Sequence, residues 1–199
     1  MNKNIVLKQI LTLFFVFVLS AVAAAAEVEG VKLADKVLLG DTGAGPELLL
    51  NGAGVRTRLV FKVYVGALYL VKKQVVADAI IADTGVKRVA LHLLRDVASE
   101  QFFSALNDGL KSNHTPEQLA KLDAPIKQLE AIFKAVKAAK TGDVILIDYV
   151  GDAGTRITIN GEAKGAIPGA EFNRALLRIW LGANPVDAGL KKAMLGAGG

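Results

Sequence analysis

From Leu49 to Leu70 the chain reads LLNGAGVRTRLVFKVYVGALYL, and its character changes twice along the way. An apolar lead-in ends at Asn51-Gly52, a dipeptide that favours turns. A flexible Gly52-Ala53-Gly54 step then delivers Arg56. From Leu59 to Leu70 the residues are β-branched, aromatic and aliphatic, the composition of a strand. Within that run Leu59, Phe61, Val63, Val65 and Tyr69 share one parity, which predicts a core face. The other parity carries Arg56, Arg58, Lys62 and Tyr64, then turns apolar at Leu68 and Leu70. One sheet face is therefore expected to begin cationic and end greasy. A surface strand needs only water on its second face, whereas a ligand with an acidic head and an apolar body needs this gradient.

The rest of the pattern predicts strands first and last, with helices between. Val31–Leu39 reads as a first strand, residues 41–46 as a loop and Glu47–Leu50 as a short strand before the Asn-Gly turn. Residues 76–83 fit either a short helix or a strand. Lys87–Val97 begins as a strand. Ser99 is a candidate N-cap, followed by Phe102, Phe103, Leu106 and Leu110 at helical spacing. Thr115-Pro116-Glu117 starts a second helix, with Pro125 marking a kink or a break and Gly142-Asp143 closing the helical block. Val144–Val150, Thr155–Ile159 and Glu162–Ile167 form a meander by turn chemistry, with Asn160-Gly161 as its second turn. Ala170–Leu181 is a helix placing Phe172, Leu176, Leu177 and Trp180 on one side, Trp180 being a helix-to-sheet anchor. Asp187 caps a last short helix. This segregation predicts an α+β fold with a mostly antiparallel sheet.

Residues 1–26 have the form of an export signal. Lys3 and Lys8 precede an apolar run from Ile10 to Val22, and Ala23–Ala26 offers small residues for cleavage. The apolar run is short of the roughly 20 residues that span a bilayer. The expected address is the periplasm or outside the cell, with no stable membrane anchor after cleavage. Residues 27–199 then make one domain. There is no cysteine among the 199 residues, so no disulfide framework exists. The net charge is +5 for the whole chain. Its basic residues are interspersed with acids, and no Lys/Arg stripe with interleaved aromatics is present, which argues against a nucleic-acid partner.

Little of the remaining chemistry-bearing inventory forms a motif. His92 and His114 are far apart and lack metal-ligand spacing, so neither a metal nor another cofactor is expected. No nucleophile elbow is present, and Gly52-Ala53-Gly54 lacks the Lys-Ser/Thr of a phosphate loop. Arg56 stands out. It follows a backbone that something can approach closely, and a guanidinium is a rigid fork that matches a carboxylate in two places. Arg56 and Tyr64 are eight positions apart, about 26 Å along one straight strand at roughly 3.3 Å per residue. Their sharing a site requires a bend near Thr57-Arg58.

The run LNGAGVRTRLVFKVYVGALYL resembles the signature of the chalcone isomerase-like domain family, in its bacterial secreted branch. GEAKGAIPGAEFNRALLRIWLGANPVDAGLKKAML resembles the family's closing segment, so the likeness spans about Glu27 to Leu195. The resemblance implies an open-faced sandwich: a large antiparallel sheet covered on one face by a layer of helices, with a ligand cleft between. In the plant chalcone isomerases an Arg in the Gly-x-Gly-x-Arg step steadies the flavanone oxyanion, and Arg56 occupies that step. A Thr in the next strand motif assists there, and Tyr64 stands at the matching place. Fatty-acid-binding relatives, which include plastid proteins, use Arg and Tyr at these two places to hold a carboxylate. The enzymes also use a Tyr and an Asn on the following helix. Here SEQFFSALNDGL puts Phe102 or Phe103 at the first position and Gly109 or Leu110 at the second. Neither hydroxyl nor amide is supplied, which argues against flavonoid cyclisation.

The expected function is non-catalytic binding of a small hydrophobic anion, a fatty acid or similar carboxylate. Arg56 leads the ligand-binding candidates, followed by Tyr64 and Lys62, with Phe102 and Phe103 on the helix. Two alternatives stay open at this point. One is a lyase or isomerase steadying an enolate or phenolate; the other is a periplasmic protein-interaction module.

Overall fold

The computed structural model describes residues 26–40, 45–136 and 138–197. The export segment lies outside the described residues except for Ala26, as does most of the 41–46 loop. The N-terminal region holds three short strands where one was expected: β1 (Ala26–Val28), β2 (Val31–Leu33) and β3 (Lys36–Leu38). β4 (Glu47–Arg58) and β5 (Phe61–Leu70) follow, then α1 (Ala77–Ala82), β6 (Lys87–Leu93) and β7 (Val97–Ala98). The helical block comprises α2 (Ser99–Asn113), α3 (Pro116–Lys121) and α4 (Asp123–Lys134). After β8 (Ala138–Ala139) the chain forms β9 (Val144–Tyr149), β10 (Thr155–Ile159), β11 (Glu162–Ile167), α5 (Ala170–Leu181) and α6 (Ala188–Met194).

Seven strands form one antiparallel sheet in the order β11-β10-β9-β6-β5-β4-β3. β6 and β9 are neighbours although the helical block separates them in sequence, so the helices leave the sheet and return to it. The main core lies between sheet and helices. It joins Leu68, Leu91, Ile145, Ile157 and Ile167 to Leu110, Leu129, Phe172 and Trp180. A smaller cluster fills the other face at the N-terminal end, where Leu33, Leu48, Leu50, Val65 and Tyr69 pack together. The architecture is thus α+β with one helix layer on a large antiparallel sheet, as the sequence implied.

Local chemistry explains most element ends. Asn160 and Gly161 turn with positive φ, 52° and 80°, which suits the right-handed twist of a hairpin. Thr115 forms a full capping box for α3: its hydroxyl accepts from Gln118 N–H, and its own N–H donates to the Gln118 side chain. Pro125 sits in the first turn of α4, and the break between α3 and α4 falls earlier, at Leu122. Asp187 caps α6 by accepting from Leu190 N–H at 2.9 Å.

Three expectations are corrected. Ser99 is not the cap of α2: it lies inside the helix, and Ala98 holds the cap position without a side-chain bond. The helical block ends at Lys134, and β8 pairs with β7 before Gly142 is reached. Asn51-Gly52 is not a turn. It lies within β4, a twelve-residue strand, and the chain reverses at Leu59-Val60.

Candidate functional site

The β4–β5 hairpin builds the site through two register shifts. Leu50 pairs with Tyr69 and Gly52 with Leu68, so Asn51 is an extra residue in β4. A bulge of this kind exchanges the two faces of the strand beyond it. Leu48 and Leu50 consequently face the smaller cluster, while Gly52, Gly54, Arg56 and Arg58 face the helices. The buried Asn51 side chain is fully engaged. Its amide donates to the carbonyls of Gln74 and Met194 at 2.9 and 2.8 Å, and its oxygen accepts from Gln74 N–H at 2.7 Å. A second shift, between Arg56 and Thr57, leaves Val63 extra in β5 and brings Phe61 and Val63 round to the cleft.

Arg56 and Tyr64 are direct cross-strand partners. The separation along the sequence closes because the chain folds back on itself, two residues beyond the bend expected at Thr57-Arg58. The Arg56 guanidinium carbon lies 5.5 Å from the centre of the Tyr64 ring, a cation–π contact. Arg56 Nε is buried and has no hydrogen-bond partner. The Tyr64 hydroxyl points away from solvent and accepts from the Trp180 indole N–H at 2.8 Å. Burial pushes the Tyr64 hydroxyl up to about 12, against the opposing pull of the Arg56 charge and the Trp180 bond. Tyr64 therefore stays neutral and forms the shelf beneath Arg56, and Trp180 is the helix-to-sheet anchor expected.

The Gly-x-Gly step admits the protein's own C-terminal helix. A Cβ on Gly52 would lie 2.1 Å from the Ala193 carbonyl oxygen, and one on Gly54 would lie 2.6 Å from the Ala193 Cβ. Only glycine lets α6 seat this close to β4. Asp187 completes the junction by accepting from Thr57 N–H at 3.0 Å, immediately beside Arg56.

In front of Arg56 lies a cleft of about 290 Å³. Leu59, Phe61, Val63, Val97, Phe102 and Ala105 supply its apolar lining, and Arg56, Arg58 and Arg95 its cations. A wider groove of about 680 Å³ runs on along α2 and shares Arg56 and Arg58 with the cleft. Among the described residues, none of the three arginines takes part in an ion pair. Arg95 stacks over Phe61 at 4.7 Å. Asp96 is the acid in the cleft wall, and it is already engaged. Thr141 N–H and the Lys140 ammonium bond it, holding its carboxyl below the usual range.

The predicted residues are thus divided. Arg56 and Phe102 line the cleft. Phe102 also packs on Phe133, with ring centres 5.1 Å apart. Tyr64 lies behind Arg56. Lys62 bonds Glu29 in the β1–β2 turn at 2.6 Å and is not in the cleft wall. Phe103 packs against the main core and is likewise absent from the wall. Gly109 is held against Ile179 of α5, where a Cβ would approach to 2.8 Å. Leu59 and Phe61, expected on the core face, are exposed. Arg58, Arg95 and Gln101 join the cleft without having been candidates. Arg58 carried a signal, since it shares parity with Arg56. Arg95 and Gln101 carried none, because they come from segments that only the fold brings to the hairpin. No cluster of His, Asp or Glu among the described residues has metal-site geometry.

A family described as chalcone isomerase-like matches residues 25–196. No curated protein matches the chain. Among solved structures, the crystal structure of a fatty-acid binding protein from Arabidopsis thaliana is similar in fold. Its TM-score is 0.60 at 15% sequence identity, covering 85% of this chain and 94% of that one.

Proposed function

Because the chain belongs to the chalcone isomerase-like family, we propose that it is a non-catalytic binder of a small hydrophobic anion. A fatty acid or a similar carboxylate fits the cleft. The observation that carries this reading is Arg56: its guanidinium rests on an aromatic ring, with a buried Nε still to be satisfied, at the wall of an apolar cleft. A cation that forms no ion pair among the described residues can take an acid from outside, and a buried donor without a partner is costly to leave unmet. Arg58 and Arg95 at the rim reinforce the field. The apolar wall of the cleft takes the hydrocarbon body. The fatty-acid binding protein of similar fold agrees with this class of ligand.

The cleft supports binding better than oxyanion chemistry. The helix positions that would add donors fall on Phe102 or Phe103 and on Gly109 or Leu110, none of which carries a hydroxyl or an amide side chain, and the Tyr64 hydroxyl is engaged by Trp180. The export signal read over residues 1–26 supports a periplasmic or secreted site of action.

Native mass spectrometry of the purified chain tests the proposal. A co-purifying acidic lipid that is lost from Arg56→Ala is the expected result. An empty parent that binds no added long-chain carboxylate ends it, as does an Arg56→Ala variant that retains the ligand. Turnover of a chalcone by the empty protein favours the isomerase reading.

A further inference from the structure

We propose that the tip of the β4–β5 hairpin docks on a membrane whose surface carries anionic phospholipid. The proposal stands on the tip itself and does not require that the cleft hold a fatty acid. Leu59 is 88% exposed, Val60 84% and Phe61 53%. Three consecutive large apolar residues at an apex are unusual for a surface in water. Leu59 moreover adopts φ 57°, a left-handed conformation that favours glycine or asparagine. Two other tight tips among the described residues, Glu29-Gly30 and Asn160-Gly161, pair a polar residue with glycine. At this tip alone of the three, apolar side chains stand in the place of polar ones.

The surroundings say what covers the tip. Arg58 flanks it in sequence and Arg95 stacks on Phe61, whereas Lys62 on the other flank is paired with Glu29. An apolar apex beside two arginines matches an interface with acyl chains below and phosphate groups at the surface. Leu59 and Phe61 also line the mouth of the cleft, so docking would set that mouth against the lipid.

The absence of cysteine makes a direct test simple. A single cysteine is introduced by Leu59→Cys and labelled with an environment-sensitive fluorophore. Val75→Cys, 68% exposed beyond the opposite end of β5, serves as the comparison. Both are mixed with phosphatidylcholine vesicles, with and without phosphatidylglycerol. The label at position 59 is expected to shift to the blue and to be quenched by a lipid-borne quencher, only with phosphatidylglycerol present. The label at position 75 is expected not to respond. Adding Arg58→Glu and Arg95→Glu should weaken the partitioning by at least about tenfold, and high salt should weaken it likewise. An unchanged signal at position 59 overturns the proposal, as does an equal response at position 75 or with phosphatidylcholine alone. A shift that depends on protein concentration without vesicles assigns the tip to a second copy of the chain and also overturns it.

Discussion

Arg56 and Arg88 lie two strands apart on opposite faces of one sheet, and each meets a different group across the strand. Arg88 on β6 faces Asp148 on β9, and its guanidinium donates two bonds to that carboxylate at 2.6 and 2.8 Å. Arg56 on β4 faces Tyr64 on β5 and meets the face of a ring. A carboxylate neutralises the fork and satisfies its donors. A ring attracts the charge through its quadrupole yet leaves the donors open. The first arginine is committed to the fold. The second is held in place with its capacity for an anion intact. Two partly buried arginines of one sheet thus differ in what their donors meet, a carboxylate for Arg88 and a ring face for Arg56.

The largest effect expected is at the committed pair. Asp148→Ala leaves Arg88 without its acid, with side chains 11% and 4% exposed in the parent pair. Loss of about 3–5 kcal/mol in denaturant unfolding is expected. A loss below about 1 kcal/mol would erase the contrast between the two arginines.

The next effect is in alkali. Tyr64 keeps its proton to about pH 12 when folded, against an ordinary value of 10.0. The folded state therefore holds this proton where the unfolded state has released it. Its contribution is complete below pH 10 and is lost as pH rises through 12, about 2–3 kcal/mol in all. The difference between parent and Tyr64→Phe unfolding free energies, followed from pH 8 to 12, isolates this contribution, because lysine titration is common to both. An unchanged difference across that range would mean that the hydroxyl is wet.

Arg56→Ala is expected to weaken binding of a long-chain carboxylate about ten- to a hundredfold by calorimetry, the range for losing charge-assisted hydrogen bonds. Its stability should fall by no more than about 1–2 kcal/mol, the worth of the ring contact. The reverse pattern, a large stability loss with affinity intact, would make Arg56 a second Arg88. Arg56→Lys should recover only part of the affinity, since an ammonium lacks the fork. Smallest are Arg58→Ala and Arg95→Ala. Both residues are exposed, so each should cost only a few-fold in affinity, and less at high salt.

Much of this was legible before the structure. The meander from Val144 to Ile167, the helix start at Thr115-Pro116 and the helix from Ala170 to Leu181 rest on turn residues and periodicity that act within a few positions. The family signature led to Arg56. The hairpin was misread for a specific reason. Asn-Gly at 51–52 carries the strongest short-range turn signal in the region, whereas Leu59-Val60 carries none. The pairing of β4 with β5 overrode both preferences, and the Asn-Gly step became a bulge held by Gln74 and Met194.

The sequence alone determined most element types, the segregation of strands and helices, and the presence of one arginine beside a small-residue step, since each is a matter of composition and spacing. The tertiary structure decided which face each residue serves. It set Arg56 against Tyr64 and not against an acid, and it gave the Gly-x-Gly step to α6. It also brought Arg95 and Phe102 to the hairpin from segments about 35 to 45 residues away. The physical reason is that a strand's faces alternate with every residue, so one extra residue in a pairing register inverts them. Register is settled by the partner strand and the packed helix, which no local stretch of chain contains.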